Sequence, residues 1–136
     1  MAKIGVMGAG SWGTALALLL NRNGHEVTIW SIDKNEVEML RTKREHVDKL
    51  PGVMIPECIQ ITNNISEGLL GMNMIVMAVP SVFTRGTAKK MCPYVAEGQL
   101  LVNVSKGIEE TTLMTMSDQI EEEIPQAQVA VLSGPR

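Results

Sequence analysis

Gly8, Gly10 and Gly13 fall in the order G-x-G-x-x-G inside the stretch "KIGVMGAGSWGTALALLLNRNG", residues 3–24. Where such a pattern joins a strand to a helix, its chemistry is that of main-chain amides gripping a diphosphate. The first glycine permits the tight turn, the second lets the backbone approach the phosphates, and the third lets the helix pack closely on the strand. The start of the helix adds free N–H groups and a partial positive charge. Glycine turns that hold no ligand share this spacing, so the flanking elements must decide.

Residues 4–20 form a run of seventeen uncharged residues, which opens two membrane readings, an export signal and a spanning helix. An export signal has a basic start, an unbroken apolar core and a small-residue cleavage site. Here the basic start is Lys3 alone, and Gly5, Gly8, Gly10 and Gly13 break the run. A spanning helix needs ~20 apolar residues, and each interior glycine costs up to ~1 kcal/mol of helix stability. Division at the glycines makes better sense: a strand over 3–7, a turn over 8–13 and a helix over 14–22. "NGHEVTIW" (23–30) then supplies a helix stop at Gly24 and a second strand over 26–30, the spacing of a strand–helix–strand unit.

Further along, Val37 and Leu40 set among charges predict a solvent-facing helix over 33–44. Pro51, Gly52 and Pro56 predict a loop in "HVDKLPGVMIPECIQIT" (46–62), leading into a short strand over 58–62. A brief helix near 66–71 precedes "MNMIVMAVP" (72–80), a continuous apolar run stopped by Pro80, which suits a strand covered on both faces. Ser81 is placed to cap the next helix, which ends before Pro93. A strand over 100–104, a helix in "TTLMTMSDQIEEEI" (111–124) with Leu113, Met116 and Ile120 on one side, and a strand over 129–132 complete the chain. Six strands alternating with helices predict an α/β fold: a Rossmann-like, doubly wound, mostly parallel sheet with helices on both faces. A length of 136 residues suits one domain.

In such sheets ligands lie beyond the carboxyl ends of the strands. That edge contains residues 8–13, 31–33, 79–81, 105–107 and 133–136. An acidic residue closing the second strand would bind both ribose hydroxyls and favour NAD over NADP. Counting ~20 residues past Gly13 reaches Asp33, whereas strand register, with Trp30 last in the apolar run, puts Ser31 at the tip. Register is the physical criterion, and Asp33 equally suits the first turn of the next helix. Both NAD and NADP remain open, with a lean to NAD because no arginine adjoins the tip. Lys106 follows a strand beside Gly107, where its ammonium would meet a nicotinamide or an anionic substrate; the alternative is a solvated lysine opening a loop. Ser105 reads equally as a turn or cap residue. Glu121, Glu122 and Glu123 read as a solvated helix end, and His25 and His46 as loop residues rather than catalysts.

The 12 basic and 15 acidic residues leave no basic stripe, which argues against nucleic acid as a partner. Cys58 and Cys92 are isolated from each other and from both histidines, so they read as free thiols in a reducing cytosol with no metal site. Ten methionines against four aromatic residues describe a core of thioethers and aliphatics.

The segments "GAGSWGTALA" (8–17), "NGHEVTIW" (23–30), "LP" (50–51), "AVPS" (78–81), "VSKGIE" (104–109) and "VLSGP" (131–135) run through nearly the whole chain. In that order they closely resemble bacterial NAD(P)-dependent glycerol-3-phosphate dehydrogenase. The resemblance implies a cytoplasmic enzyme that interconverts dihydroxyacetone phosphate and sn-glycerol 3-phosphate for phospholipid synthesis, with NAD or NADP as cofactor, a small phosphate substrate and no membrane partner. It implies that Ser11 and Trp12 contact the cofactor beside Gly8, Gly10 and Gly13, and that Ile32 and Asp33 face the adenosine ribose. Pro80 joins the cofactor set, Lys106 contacts both cofactor and substrate, and Gly134 borders the substrate.

The chain departs from the family in two places. Family members often carry histidine or arginine at the positions of Ile32 and Asp33, where the 2′-phosphate of NADP is held; Lys49 is placed to compensate in part. The family also continues past "SGP" with Ser or Thr and then a helical domain that supplies the catalytic lysine, where this chain has Arg136. The resemblance therefore implies that residues 1–136 are the dinucleotide-binding domain, binding nucleotide weakly and turning over no substrate alone. Apolar surface that a second domain would cover would, where exposed, encourage a homodimer or aggregation, and the sequence leaves the oligomeric state open. Two rival functions share the glycine corner. One is a nucleotide-sensing module, for which Lys106 is dispensable; the other is a 6-phosphogluconate or ketopantoate type of dehydrogenase, against which "SWGTALA" and "SKGIE" speak.

Overall fold

A computed structural model describes residues 1–105 and 114–131. Lys3–Met7 forms β1 and Ser11–Arg22 forms α1, which starts earlier than expected because Gly10, not Gly13, is its N-cap. β2 (Glu26–Trp30) and α2 (Lys34–Lys43) follow. Arg44 stops α2 with left-handed backbone at φ 52°. Its guanidinium donates to the carbonyls of Pro56 and Ile59 at 3.2 and 2.7 Å, which ties the helix end to the segment just ahead of the strand over Gln60–Thr62.

The stretch expected to be a loop contains a two-stranded antiparallel ribbon, β3 (Glu45–His46) with β4 (Leu50–Met54). Pro51 and Gly52 concealed it. A proline forfeits a ladder bond, but a two-stranded ribbon is all edge and tolerates the loss, and the register shifts between Glu45 and His46.

The remaining elements are β5 (Gln60–Thr62), a 3₁₀ turn at Ile65–Gly68, β6 (Met74–Met77), a 3₁₀ turn at Ser81–Phe83 leading into α3 (Thr84–Met91), β7 (Leu100–Asn103), α4 (Met116–Glu123) and β8 (Gln128–Val131). Ser81 does not cap α3, since no side chain closes either the 3₁₀ turn or the helix. Glu122 and Glu123 are more than a solvated helix end. Arg85 of α3 donates to Glu122 Oε1 at 2.7 Å and to Glu123 Oε2 at 2.6 Å, joining α3 to α4.

The six-stranded sheet has the order β5-β2-β1-β6-β7-β8 and is parallel at every pairing. From β1 the chain steps outward through β2 to β5, then returns to place β6 on the other side of β1. The switch point therefore lies between β1 and β6. Register aligns Thr62, Trp30, Met7, Met77, Asn103 and Val131 in one row, so all six carboxyl ends open on the same edge.

Strand alternation divides the core into two layers. Ile4, Val6, Val27, Ile29 and Val76 face Ala17 of α1 and Val37 and Leu40 of α2. Met7, Ile75, Met77 and Leu101 face Ala88 and Met91 of α3 and Ile120 of α4. Each fully buried side chain of this size stabilises the fold by roughly 1.5–3 kcal/mol, and together they hold the strand tips rigidly in their row.

Candidate functional site

The site grows from the two loops at the switch point. Gly8 has φ 122°, and a side chain there would stand 2.7 Å from the carbonyl oxygen of Ala78, so only glycine lets the two loops meet. Gly13 packs α1 against the turn: a Cβ would lie 2.2 Å from the Gly8 oxygen. Gly10 is different, because a Cβ there would meet nothing within 4 Å. The third glycine thus serves packing, while the second opens onto free space. Gly10 also has no side chain to cap α1, so the first-turn amides are left for an outside acceptor. Thr14 anchors the turn from beneath, its hydroxyl donating to the Ala9 carbonyl at 3.2 Å.

Two clefts meet at this turn. One, of about 220 Å³, runs from Gly8 and Gly10 toward the tip of β2, with Ile32, Asp33, Glu36, Pro80, Phe83 and Thr87 on its walls. The other, of about 460 Å³, runs past Ser11, Trp12, Ala78 and Pro80 to Val104 and Ser105 at the tip of β7. Gly10, Val79, Pro80 and Lys49 border both. A dinucleotide has the same plan, two nucleosides joined by a diphosphate.

The floor of the larger cleft is braced. Ser105 Oγ donates to the Val79 carbonyl at 2.6 Å, linking the loop after β7 to the loop after β6. Asn103, fully buried, accepts from the Ser105 amide at 3.0 Å and donates to the Ser105 carbonyl at 3.1 Å and to Ser117 Oγ at 3.2 Å. A lone asparagine at the end of an apolar strand was the signal for this brace.

At the tip of β2, register was the right guide: the strand ends at Trp30, and Ser31 follows. Asp33 is the N-cap of α2, and its Oδ1 accepts from the amides of Asn35 and Glu36 at 2.9 and 3.3 Å. The Asp33 amide donates to Ser31 Oγ at 3.2 Å, and that hydroxyl donates to Glu36 Oε1 at 2.6 Å. This is a capping box relayed through a serine, and the D-x-x-E spacing of Asp33 and Glu36 was its sequence signal. From the β5 side, Asn63 donates to the carbonyls of Ser31 and Ile32 at 3.1 and 3.0 Å.

His46 is not a loop residue: it lies in β3, is buried, and its Nε2 is 2.9 Å from Glu36 Oε2. Lys49 Nζ lies 3.7 Å from the same oxygen. His25 does lie in a loop, its Nδ1 accepting from the Ala2 amide at 3.1 Å. Cys58 and Cys92 are free thiols. Among the described residues, no three His, Cys, Asp or Glu side chains gather to hold a metal ion, and no helix is long and apolar enough to cross a membrane. Gly8, Gly10, Ser11, Trp12, Gly13, Ile32, Asp33 and Pro80 thus gather around the switch point, while Lys106 and Gly134 lie outside the described residues.

The family model described as the N-terminus of NAD-dependent glycerol-3-phosphate dehydrogenase matches residues 3–136. The chain belongs to this family. A glycerol-3-phosphate dehydrogenase (NAD(P)+) of Agathobacter rectalis is 59% identical over 135 residues, covering 99% of this chain and 40% of that protein. One from Fusobacterium nucleatum is 49% identical over 137 residues, covering 99% of this chain and 41% of the relative. The chain thus spans about two fifths of the curated relatives it matches. The crystal structure of glycerol-3-phosphate dehydrogenase from Coxiella burnetii superposes with a TM-score of 0.89 at 30% identity, over 98% of this chain and 41% of that one.

Proposed function

We propose that this chain is the dinucleotide-binding part of an NAD(P)-dependent glycerol-3-phosphate dehydrogenase, which interconverts sn-glycerol 3-phosphate and dihydroxyacetone phosphate. The observation that carries the reading is the open space at Gly10, at the junction of two clefts, in a chain of this family. The residues present fit the cofactor. The free amides of the turn and of α1 at Gly10, Ser11 and Trp12 hold the diphosphate, and their fixed dipoles favour its charge. Ile32 and Phe83, both 61% exposed, flank the smaller cleft and offer apolar faces to the adenine. Asp33 uses Oδ1 for capping, which leaves Oδ2 as the acceptor for a ribose hydroxyl.

The nicotinamide half belongs in the larger cleft, over the brace formed by Ser105 and Val79. A nicotinamide cofactor held there would supply hydride chemistry at the substrate's carbinol carbon. The chain's own part is positional: it fixes the ring over the strand tips and excludes water beneath it. Lys106, next in sequence to Ser105, neutralises the substrate end, and Gly134 borders the substrate. The base for the hydroxyl proton is a lysine of the helical domain that follows in the family.

Calorimetric titration of the chain with NADH and with NADPH tests the reading. One-to-one binding of at least one is expected, and the absence of both would overturn it. Glycerol 3-phosphate oxidation by the 136 residues alone is expected to be absent; robust steady-state turnover would refute the assignment of the base to another domain.

A further inference from the structure

We propose that Glu36 sets the cofactor preference by engaging Lys49 in an ion pair on the wall of the smaller cleft, so that its charge is offset by a carboxylate where a 2′-phosphate on the adenosine ribose would lie, which makes the site selective for NAD over NADP. This rests on the nucleotide-binding reading above and adds a residue that the glycine pattern does not reveal. Lys49 is the one basic side chain among the described residues lining the two clefts, whereas Asp33 and Glu36 both line the smaller one. A 2′-phosphate, bearing roughly two negative charges, therefore enters a wall with two carboxylates and one lysine.

That lysine is already engaged. The Glu36 side chain is only 16% exposed, and its position is fixed from three sides. Oε1 accepts from Ser31 Oγ at 2.6 Å, and Oε2 faces His46 Nε2 at 2.9 Å and Lys49 Nζ at 3.7 Å. The Lys49 amide donates to His46 Nδ1 at 3.4 Å. With Nδ1 accepting from that amide, Nε2 is the ring nitrogen that donates to Glu36. The β3–β4 ribbon, in which His46 pairs with Leu50, sets the backbone on either side of Lys49. The carboxylate is thus locked in place, and Lys49, whose side chain is 53% exposed, is drawn to it instead of to a phosphate.

NADH and NADPH differ only in the 2′-phosphate, so the ratio of their dissociation constants isolates this effect from any general damage to the site. The wild-type chain is titrated with each nucleotide at low ionic strength, and NADH is expected to bind more tightly. Glu36→Gln keeps the shape and frees Lys49, and is expected to move the ratio about tenfold toward NADPH. The double variant Glu36→Gln, Lys49→Ala is expected to lose that gain. Lys49→Met alone, at an exposed side chain, leaves Glu36 unneutralised and is expected to move the ratio at least about threefold further toward NADH. Equal weakening of both nucleotides by Glu36→Gln would reveal a merely structural role and overturn the proposal, as would a ratio indifferent to Lys49→Met. Equal wild-type affinity for the two nucleotides would sink this proposal and leave the nucleotide-binding reading intact, whereas no binding of either would remove both.

Discussion

At Gly10 an added methyl group meets nothing within 4 Å, whereas at Gly13 it lies 2.2 Å from a backbone oxygen. Two glycines three residues apart therefore answer to different demands, and the same substitution separates them. Gly10→Ala is expected to unfold within about 1 kcal/mol of the wild type, the loss of a glycine N-cap, yet to bind NADH at least about tenfold more weakly because the methyl occupies the path of the diphosphate. Gly13→Ala is expected to cost about 1–3 kcal/mol by overpacking α1 against the turn. Melting curves paired with NADH titrations distinguish the two; a Gly10→Ala chain that binds normally would show that the turn does not hold the phosphates. Asp33 carries two duties at once, and Asp33→Ala is expected to lose about 1 kcal/mol of capping as well as the ribose acceptor.

Between elements, the contact best suited to test is the one from Arg85 to Glu122 and Glu123, which holds α3 against α4 over the second core layer. Glu123 is 17% exposed and Glu122 is 55% exposed, so the first partner carries most of the energy and the second is largely screened by solvent. Arg85→Ala is expected to destabilise the chain by about 1–2 kcal/mol, and the deficit should shrink when urea unfolding is repeated in about 1 M salt, where the screening length falls to about 3 Å. An unchanged midpoint at low salt would assign the α3–α4 contact to Ala88, Met91 and Ile120 alone. The β3–β4 ribbon stands at the opposite extreme. It contributes little apolar burial, since Pro51, Gly52, Val53 and Met54 are exposed, and its use is to carry His46 and Lys49 to Glu36 in the first turn of α2.

For the molecule as a whole, the proposed site depends on the ends of β1, β2, β6 and β7 sharing one edge, a condition met by register rather than by any single residue. A ligand spanning that edge couples to global stability. At a hundredfold excess over its dissociation constant, NADH is expected to add about 2.7 kcal/mol, or roughly 10 °C in melting temperature for a chain of this size. A thermal scan with and without NADH measures it, and a shift absent at saturating nucleotide would mean that the folded and unfolded chains bind alike.

The alternation of elements, the parallel sheet and the glycine turn were legible in the order of residues, because each rests on local chemistry: apolar runs the length of a strand, glycines where a side chain cannot fit, and helix stops. Even the tip of β2 could be placed from Trp30. The network of Ser31, Glu36, His46 and Lys49 was not legible in the same way. Its members lie on a strand tip, a helix and a ribbon with proline in one strand, and nothing in their spacing states that they meet. Only chain packing brings a buried imidazole to a half-buried carboxylate, since a proton shared between distant residues depends on distances in space. Local sequence thus determined the glycine turn and the sheet edge on which the proposed site opens, and the tertiary structure decided which charges line that edge.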